Sequence, residues 1–354
     1  MTPVPVVGAA ALTAVPGRKR LEELVFDAAR AALDVAGLER ADLDAVVLSG
    51  SDELDGRSIS SMLTSMPAGG LLKDTVKITD SGLHALAVSV MRILSQDTHV
   101  EIAVSWGVPS EGNPEAVERT ALDPFFERHA GVIDVVATGM MLGAYLADFD
   151  RNLQEVDERA TRKWAAAGVE SCAVDRSFVA VPLRRGHIAP TVDAVAAVVL
   201  ASPSAVKQRG LNVLGQVTGV GWAVDAHSVG AREHSSQPAL QIAARHALAR
   251  SGAEVTGLDA IEIEDRTVLH ELLAVEAFGM AGPGQALDAL ADSSNIVNRY
   301  TGDGFGGLPM HCSGLWRLAR LCERDDVGRV AVQNASGIAA QSHAVVVLEG
   351  ANAA

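Results

Sequence analysis

The stretch Thr79-Asp80-Ser81-Gly82 joins a β-branched run, Val76-Lys77-Ile78, to the apolar-periodic segment from Leu83 to Leu94. A strand that turns sharply into a helix presents the turn's side chains at the helix N-terminus, where backbone N–H groups and the helix dipole favour negative charge. Asp80 can act there as a general base and Thr79 as a weak nucleophile, although a threonine hydroxyl needs a neighbouring base before it attacks a carbonyl. The plainer reading is that Asp80 or Ser81 caps the helix, since Asp and Ser lead the cap preferences. Glu264 and Asp265 follow a second apolar run that opens at Ala260. They stand at a strand's C-terminal end, where α/β folds keep their reactive groups. Adjacent strand residues point to opposite faces, so at most one of the two enters a given pocket. Glu264 serves as a general base if burial raises its pKa; otherwise it pairs with Arg266 or caps the helix from Thr267.

Other motifs carry less. "GDGFGG" (302–307) satisfies G-x-G-x-x-G and raises a dinucleotide-binding reading. Five residues, Pro309 among them, separate its last glycine from the helix start at Ser313, and the candidate acids Asp325 and Asp326 precede the next strand, so a flexible substrate-facing loop is the better reading. "HELLA" (270–274) places Ala274 where a zinc helix needs its second histidine, so no metal site follows. "VDERATRK" (156–163) reads as a solvated, charge-mixed helix face. His311 reads as a histidine packed or solvated near a helix start, and Cys312 beside it as a small buried filler.

Bulk properties bound the class. The 354 residues are 48% hydrophobic and 21% charged, enough for a sizeable core in two domains. A net charge of −15 argues against nucleic acid as a partner. Three cysteines, Cys172, Cys312 and Cys322, are too few for a disulfide framework and suit a reducing cytosol. The longest apolar runs, such as 194–201, are far short of the ~20 residues of a membrane span. The basic cluster Arg18-Lys19-Arg20 follows the first apolar stretch, the reverse of a secretory signal, and the expectation is a cytoplasmic protein.

The elements that must position these residues occur twice. "AARAALDVAGLERADLDAVVLS" (28–49) aligns without a gap on "AARHALARSGAEVTGLDAIEIE" (243–264), and "SGLHALAVSV" (81–90) on "SGLWRLARLC" (313–322). Each first segment is a helix closed by a glycine, Gly37 or Gly252, and followed by a strand. Strands are expected near 3–13, 44–50, 74–79, 100–106 and 195–202, then near 211–224, 259–265, 295–300, 328–333 and 343–348. Helices are expected near 21–36, 81–95, 238–251, 267–279 and 313–323. Residues 108–192 break the repeat with a helical stretch over 140–168. The implied division is 1–107 plus 193–204, an inserted lobe 108–192, and a second half 205–354.

A duplicated half, an insertion between the halves and a Ser-Gly-Leu helix in each resemble the thiolase superfamily, in particular the sterol-carrier-protein thiolases and bacterial lipid-transfer thiolase-like proteins. "TVDAVAAVVLAS" (191–202), "IEIEDRTVLHELLAVEAFGM" (261–280), "NRYTGDGFGGLPMHCSGL" (298–315) and "VQNASGIAAQSHAVVVLEG" (332–350) carry the likeness. The resemblance implies an α/β fold of two similar halves, each a mixed sheet covered by helices in an αβαβα layering.

Carried over position by position, the family's acylated cysteine falls on Thr79, and the histidine of its Gly-His-Pro-x-Gly loop on Leu308. The motif after the second strand of the second half falls on Glu264-Asp265-Arg266, and the second cysteine falls on Asn334. Every one departs from the pattern, so thiolysis through a cysteine is not expected. Some thiolase-like aldolases use tyrosines, which brings in Tyr300. The resemblance then implies a protein that binds an acyl-CoA or other thioester against Gly306, Gly307, Ser313 and Gly337, with no further cofactor. It would act as a C–C lyase or acyltransferase through Asp80, Glu264, His311 or Tyr300. The alternatives are a catalytically inactive subunit that carries an acyl ligand or scaffolds an active partner, and a dinucleotide-dependent oxidoreductase. Expected assemblies are a homodimer, or a heteromer with an active thiolase-like chain or a small OB-fold protein.

Overall fold

The computed structural model describes residues 1–291 and 296–352. The first half runs β1 (Val4–Ala14), α1 (Leu21–Ala36), β2 (Ala45–Ser49), β3 (Asp74–Ile78), α2 (Gly82–Leu94) and β4 (Val100–Gly107). The insertion supplies α3 (Pro114–Ala121), α4 (Asp134–Asp148), α5 (Leu153–Ala166) and a small hairpin before the chain returns through β5 (Asp193–Ala201). The second half follows as β6 (Gly215–Val224), α6 (Pro238–Ser251), β7 (Ala260–Glu262), α7 (Val268–Ala277), α8 (Ser313–Leu321), β8 (Arg329–Ser336) and β9 (Ser342–Gly350).

Strand order shows the duplication directly. Among the described residues the sheet reads β3-β2-β4-β5-β1 and continues β6-β9-β8-β7, so each half repeats the same neighbours outward from its first strand. In both halves the second strand lies parallel to its neighbour, β2 beside β4 and β7 beside β8, and the last strand returns antiparallel. Val4, Val6 and Pro5 of β1 pair with β6 and join the halves. Asn295, inside the expected strand near 295–300, lies outside the described residues; the rest of that segment makes one bridge, Val297 beside Ile261, at the place β3 holds in the first half. Gly37 and Gly252 both close their helices in the left-handed conformation, at φ 65° and 69°.

Three hydrophobic cores fill the spaces between the layers, the middle one lying on both sides of the central helices. Strand alternation decides which side chain joins which core: Ala196, Val198 and Leu200 of β5 face inward, while Val195, Ala197 and Val199 face α1. The middle layer holds α2 and α8 between sheet faces of both halves. Their crossing is close because each carries a glycine in its first turn. A Cβ on Gly82 would lie 2.8 Å from the Cβ of Leu315, and one on Gly314 would lie 2.7 Å from the Cγ of Leu83. The third core joins α6 and α7 to the insertion through Leu142, Tyr145 and Val156.

Two expectations for the insertion need correction. The helical stretch over 140–168 is two helices, broken at Asp150, whose φ is 49°. Asn152 and Glu155 then open α5 with a reciprocal capping box, at 3.1 and 2.9 Å. The supposedly solvated face of α5 buries Lys163, whose ammonium meets Asp265 at 2.8 Å, Glu271 at 2.9 Å and Asp303 at 2.7 Å. Three carboxylates from remote parts of the chain make that burial tolerable.

Candidate active site

A cavity of about 340 Å³ opens where the two halves and the insertion meet. The first half contributes Thr79 and Asp80, the insertion Glu118 and Asp134, and the second half Arg266, His311, Ser336, Gly337 and Ser342. Thr79, Asp80, His311 and Gly337, expected from sequence, therefore share one wall space.

Asp80 sits in the turn before α2 but does not cap it. Its carboxylate receives the hydroxyls of Ser336 and, at 3.0 Å, Ser342, both from the second half, with Nε2 of His84 3.6 Å away. Ser81 occupies the cap position, but its hydroxyl meets Nδ1 of His84 at 2.9 Å instead of a backbone N–H. Burial opposes the charge on Asp80, and the His84, Ser336 and Ser342 contacts outweigh it, so its carboxyl is held below the usual range. At the first N–H of α2, Gly82 donates to the carbonyl of His311 at 3.2 Å. The donor that a nucleophile turn would offer to an oxyanion is thus engaged by the other half.

His311 adopts φ 68°, a left-handed conformation rare outside glycine. Leu308, three residues before it, turns into the core and bonds through its backbone to Pro190 and Val192. The histidine that enters the cavity is therefore His311, not a residue at the Leu308 position. Its Nε2 lies 3.2 Å from the Ser49 hydroxyl, which donates its single hydrogen to the Asp80 carbonyl at 2.7 Å. Ser49 can then only accept from the ring, which assigns the hydrogen to Nε2 and leaves the Nδ1 lone pair without a partner among the described residues. Burial pushes the imidazole down to about 4, partly opposed by Asp80, so the ring is neutral at pH 7.

Glu264 lies behind the wall. One oxygen takes Arg266, with Nε at 3.0 Å; the other takes the Ser313 hydroxyl and Asn334 Nδ2, each at 2.5 Å, and the Ala335 N–H at 3.2 Å. Burial opposes its charge, but Arg266 and Ser313 prevail and lower its pKa. Glu264, Ser313 and Asn334 thus form a fully buried clamp that holds Arg266 and Ala335 at the cavity edge. Tyr300 lies elsewhere, its hydroxyl on the Asp326 carbonyl at 3.4 Å. Gly307 packs on Val192, and Gly306 borders a separate cleft with Arg159 and Asn298. The glycine-rich loop turns its Gly304 N–H onto Asp265 at 3.1 Å, which occupies the amide that a pyrophosphate would need. None of the three thiols lines the cavity: Cys172 is exposed on the insertion, while burial raises the Cys312 and Cys322 pKa values, the latter to about 12. Among the described residues no group of three or more acidic, histidine or cysteine side chains is placed to hold a metal ion.

Sequence reasoning missed the acidic wall of the insertion. Glu118 projects from α3 with Val117 and Ala121 on the same face. The Asp134 N–H donates to its Oε2 at 3.3 Å. Burial and the nearby Asp134 charge push Glu118 up to about 7. Asp134 in turn takes the Ala339 N–H at 2.7 Å and lies 3.7 Å from Arg266. The insertion has no counterpart in the repeat, so no internal alignment pointed to either acid.

No protein-family model matches the chain. Sterol carrier protein 2 of Gallus gallus is 28% identical over 169 residues, 42% of this chain. The match spans only 31% of that relative's own length. Among solved structures, human mitochondrial 3-ketoacyl-CoA thiolase superposes with a TM-score of 0.75 at 15% identity, covering 98% of this chain and 99% of that one. The Ltp2-ChsH2(DUF35) aldolase superposes with a TM-score of 0.77 at 14% identity, covering 99% and 98%. The fold is that of the thiolases, and the chain is thiolase-like.

Proposed function

We propose that this thiolase-like protein binds a 3-hydroxyacyl thioester, such as an acyl-CoA, and cleaves the bond between its α and β carbons without a cysteine nucleophile. One observation carries the reading: a neutral His311, whose Nδ1 has no hydrogen-bond partner among the described residues, lines a cavity that no thiol reaches. Only a neutral imidazole can take the proton of a β-hydroxyl, and burial keeps His311 in that form at pH 7. As the C–C bond breaks, its electron pair moves into the thioester enolate and the hydroxyl carbon leaves as an aldehyde or ketone. The aldolase named among the structural neighbours supports this reaction class by analogy of fold.

The test is to incubate the full chain with a panel of 3-hydroxyacyl-CoA esters and follow carbonyl release together with the shortened acyl-CoA. His311→Gln is expected to lower kcat by about 10²–10⁴-fold, and Cys312→Ala to retain turnover. Cleavage that survives His311→Gln unchanged defeats the proposal. The engaged Gly82 N–H favours a second reading, a chain that carries an acyl thioester without turning it over. Acyl-CoA that co-purifies with a chain inert toward the whole panel would select it.

A further inference from the structure

We propose that Glu118, from the insertion, is the acid that delivers a proton to the α carbon of the thioester enolate. This rests on the cleavage reading above and assigns its second proton. The two walls of the cavity differ in chemistry: the second half offers His311, whose free nitrogen accepts a proton, and α3 offers a carboxyl whose Oε1 has no protein partner among the described residues. A cavity near the small end of the ligand-site range lets one ligand touch both walls.

The surroundings of Glu118 keep a proton available. Val117 and Ala121 flank it on the cavity face, and Asp134 of α4 stands beside it with Arg266 beyond and Glu115 on its own helix. Burial and Asp134 together outweigh Arg266, so the carboxyl titrates near neutrality, where an acid can both give and regain a proton. Asp134 differs in its surroundings: its Oδ1 accepts the Ala339 N–H at 2.7 Å and faces the Arg266 guanidinium at 3.7 Å, a cation that favours the charged carboxylate over the acid.

The step balances. His311 Nδ1 takes the hydroxyl proton, the Cα–Cβ pair becomes the enolate, and the carbonyl product departs. The enolate pair then forms a new C–H bond with the Glu118 proton, leaving a Glu118 carboxylate and a His311 imidazolium. Exchange with water returns both to their starting states.

Exchange of the α hydrogens of a saturated acyl-CoA in D₂O tests the assignment, because it needs no cleavage. Wild type is expected to exchange, Glu118→Gln to lose exchange and cleavage by at least about 10²-fold, and His311→Gln to lose cleavage while it keeps exchange. The limb near pH 7 in the wild-type exchange profile should vanish in Glu118→Gln. Arg119→Gln, on the exposed side of α3, should change neither readout, and thermal unfolding of both α3 variants should match wild type. Exchange that persists in Glu118→Gln overturns the assignment. Wild-type exchange without cleavage of any 3-hydroxyacyl ester defeats the cleavage reading and leaves Glu118 as the α-carbon acid. Absence of both activities in wild type overturns both.

Discussion

His311, His270 and His343 of the second half share a cost: burial removes the water that a charged imidazole needs. His311 is pushed to about 4, and His270 and His343 to about 3. His343 keeps Nδ1 beside Gln333 at 3.1 Å, and His270 keeps Nδ1 beside Thr267 at 2.8 Å, while His270 Nε2 has no partner among the described residues. Below the unfolded value near 6.5 the unfolded chain binds protons that the folded chain refuses until about pH 4 to 3, so stability falls as pH drops through that window. Each histidine contributes about 1.4 kcal/mol per pH unit there. Urea unfolding at pH 7 and pH 5 should therefore show a loss of several kcal/mol, smaller by about 2 kcal/mol in His343→Gln. Equal losses in the two proteins would refute the account. At this scale the sequence was partly readable. Asp80 and His311 follow or precede recognisable helix starts, whereas the role of Glu264 depended on five donors contributed by Arg266, Ser313, Asn334 and Ala335, which no local pattern reveals.

Elements were legible where their own periodicity decides burial, and opaque where remote charges do. α1, α2 and α6 fall within a residue or so of the expected spans, because their apolar stripes face cores that any amphipathic helix would seek. α5 has the charge mixture of a surface helix, yet its Lys163 is 1% exposed. Asp265, Glu271 and Asp303 lie over a hundred residues away in sequence and hold it, and their field raises its pKa against the effect of burial. Removing one member of such a cluster leaves buried charge uncompensated. Lys163→Met is therefore expected to cost about 3–5 kcal/mol in guanidinium unfolding, despite keeping most of the volume. A loss below about 1 kcal/mol would mean that the carboxylates find water or protons instead, and that the cluster does not anchor the insertion.

The whole molecule has two sheet ends of unequal character. At the second-half end, Val297 bridges Ile261 beside β7, whereas β3 ends the first half with no strand beyond it among the described residues. An open edge is a template for another strand. The approach to β3 is also apolar: Leu71 is 59% exposed and Leu72 96% exposed, the latter at φ 59°. The thiolase resemblance implies a homodimer paired through the strand before the nucleophile turn, which is β3, and the prediction from it is β3 of one copy against β3 of the other about a two-fold axis. Such an interface must also bury more than about 1,000 Å² to persist, which the exposed Met62 and Met66 nearby in the chain can help supply. Sedimentation at about 10 μM should then report a dimer, because interfaces of that size commonly hold at micromolar concentration or below. Leu71→Glu with Leu72→Glu should shift it to monomer, since two carboxylates per copy would face each other across the axis, with little change in the unfolding of the monomer. A wild-type chain that sediments as a monomer at that concentration, or a double variant that stays dimeric, would show that the bare edge serves some other contact.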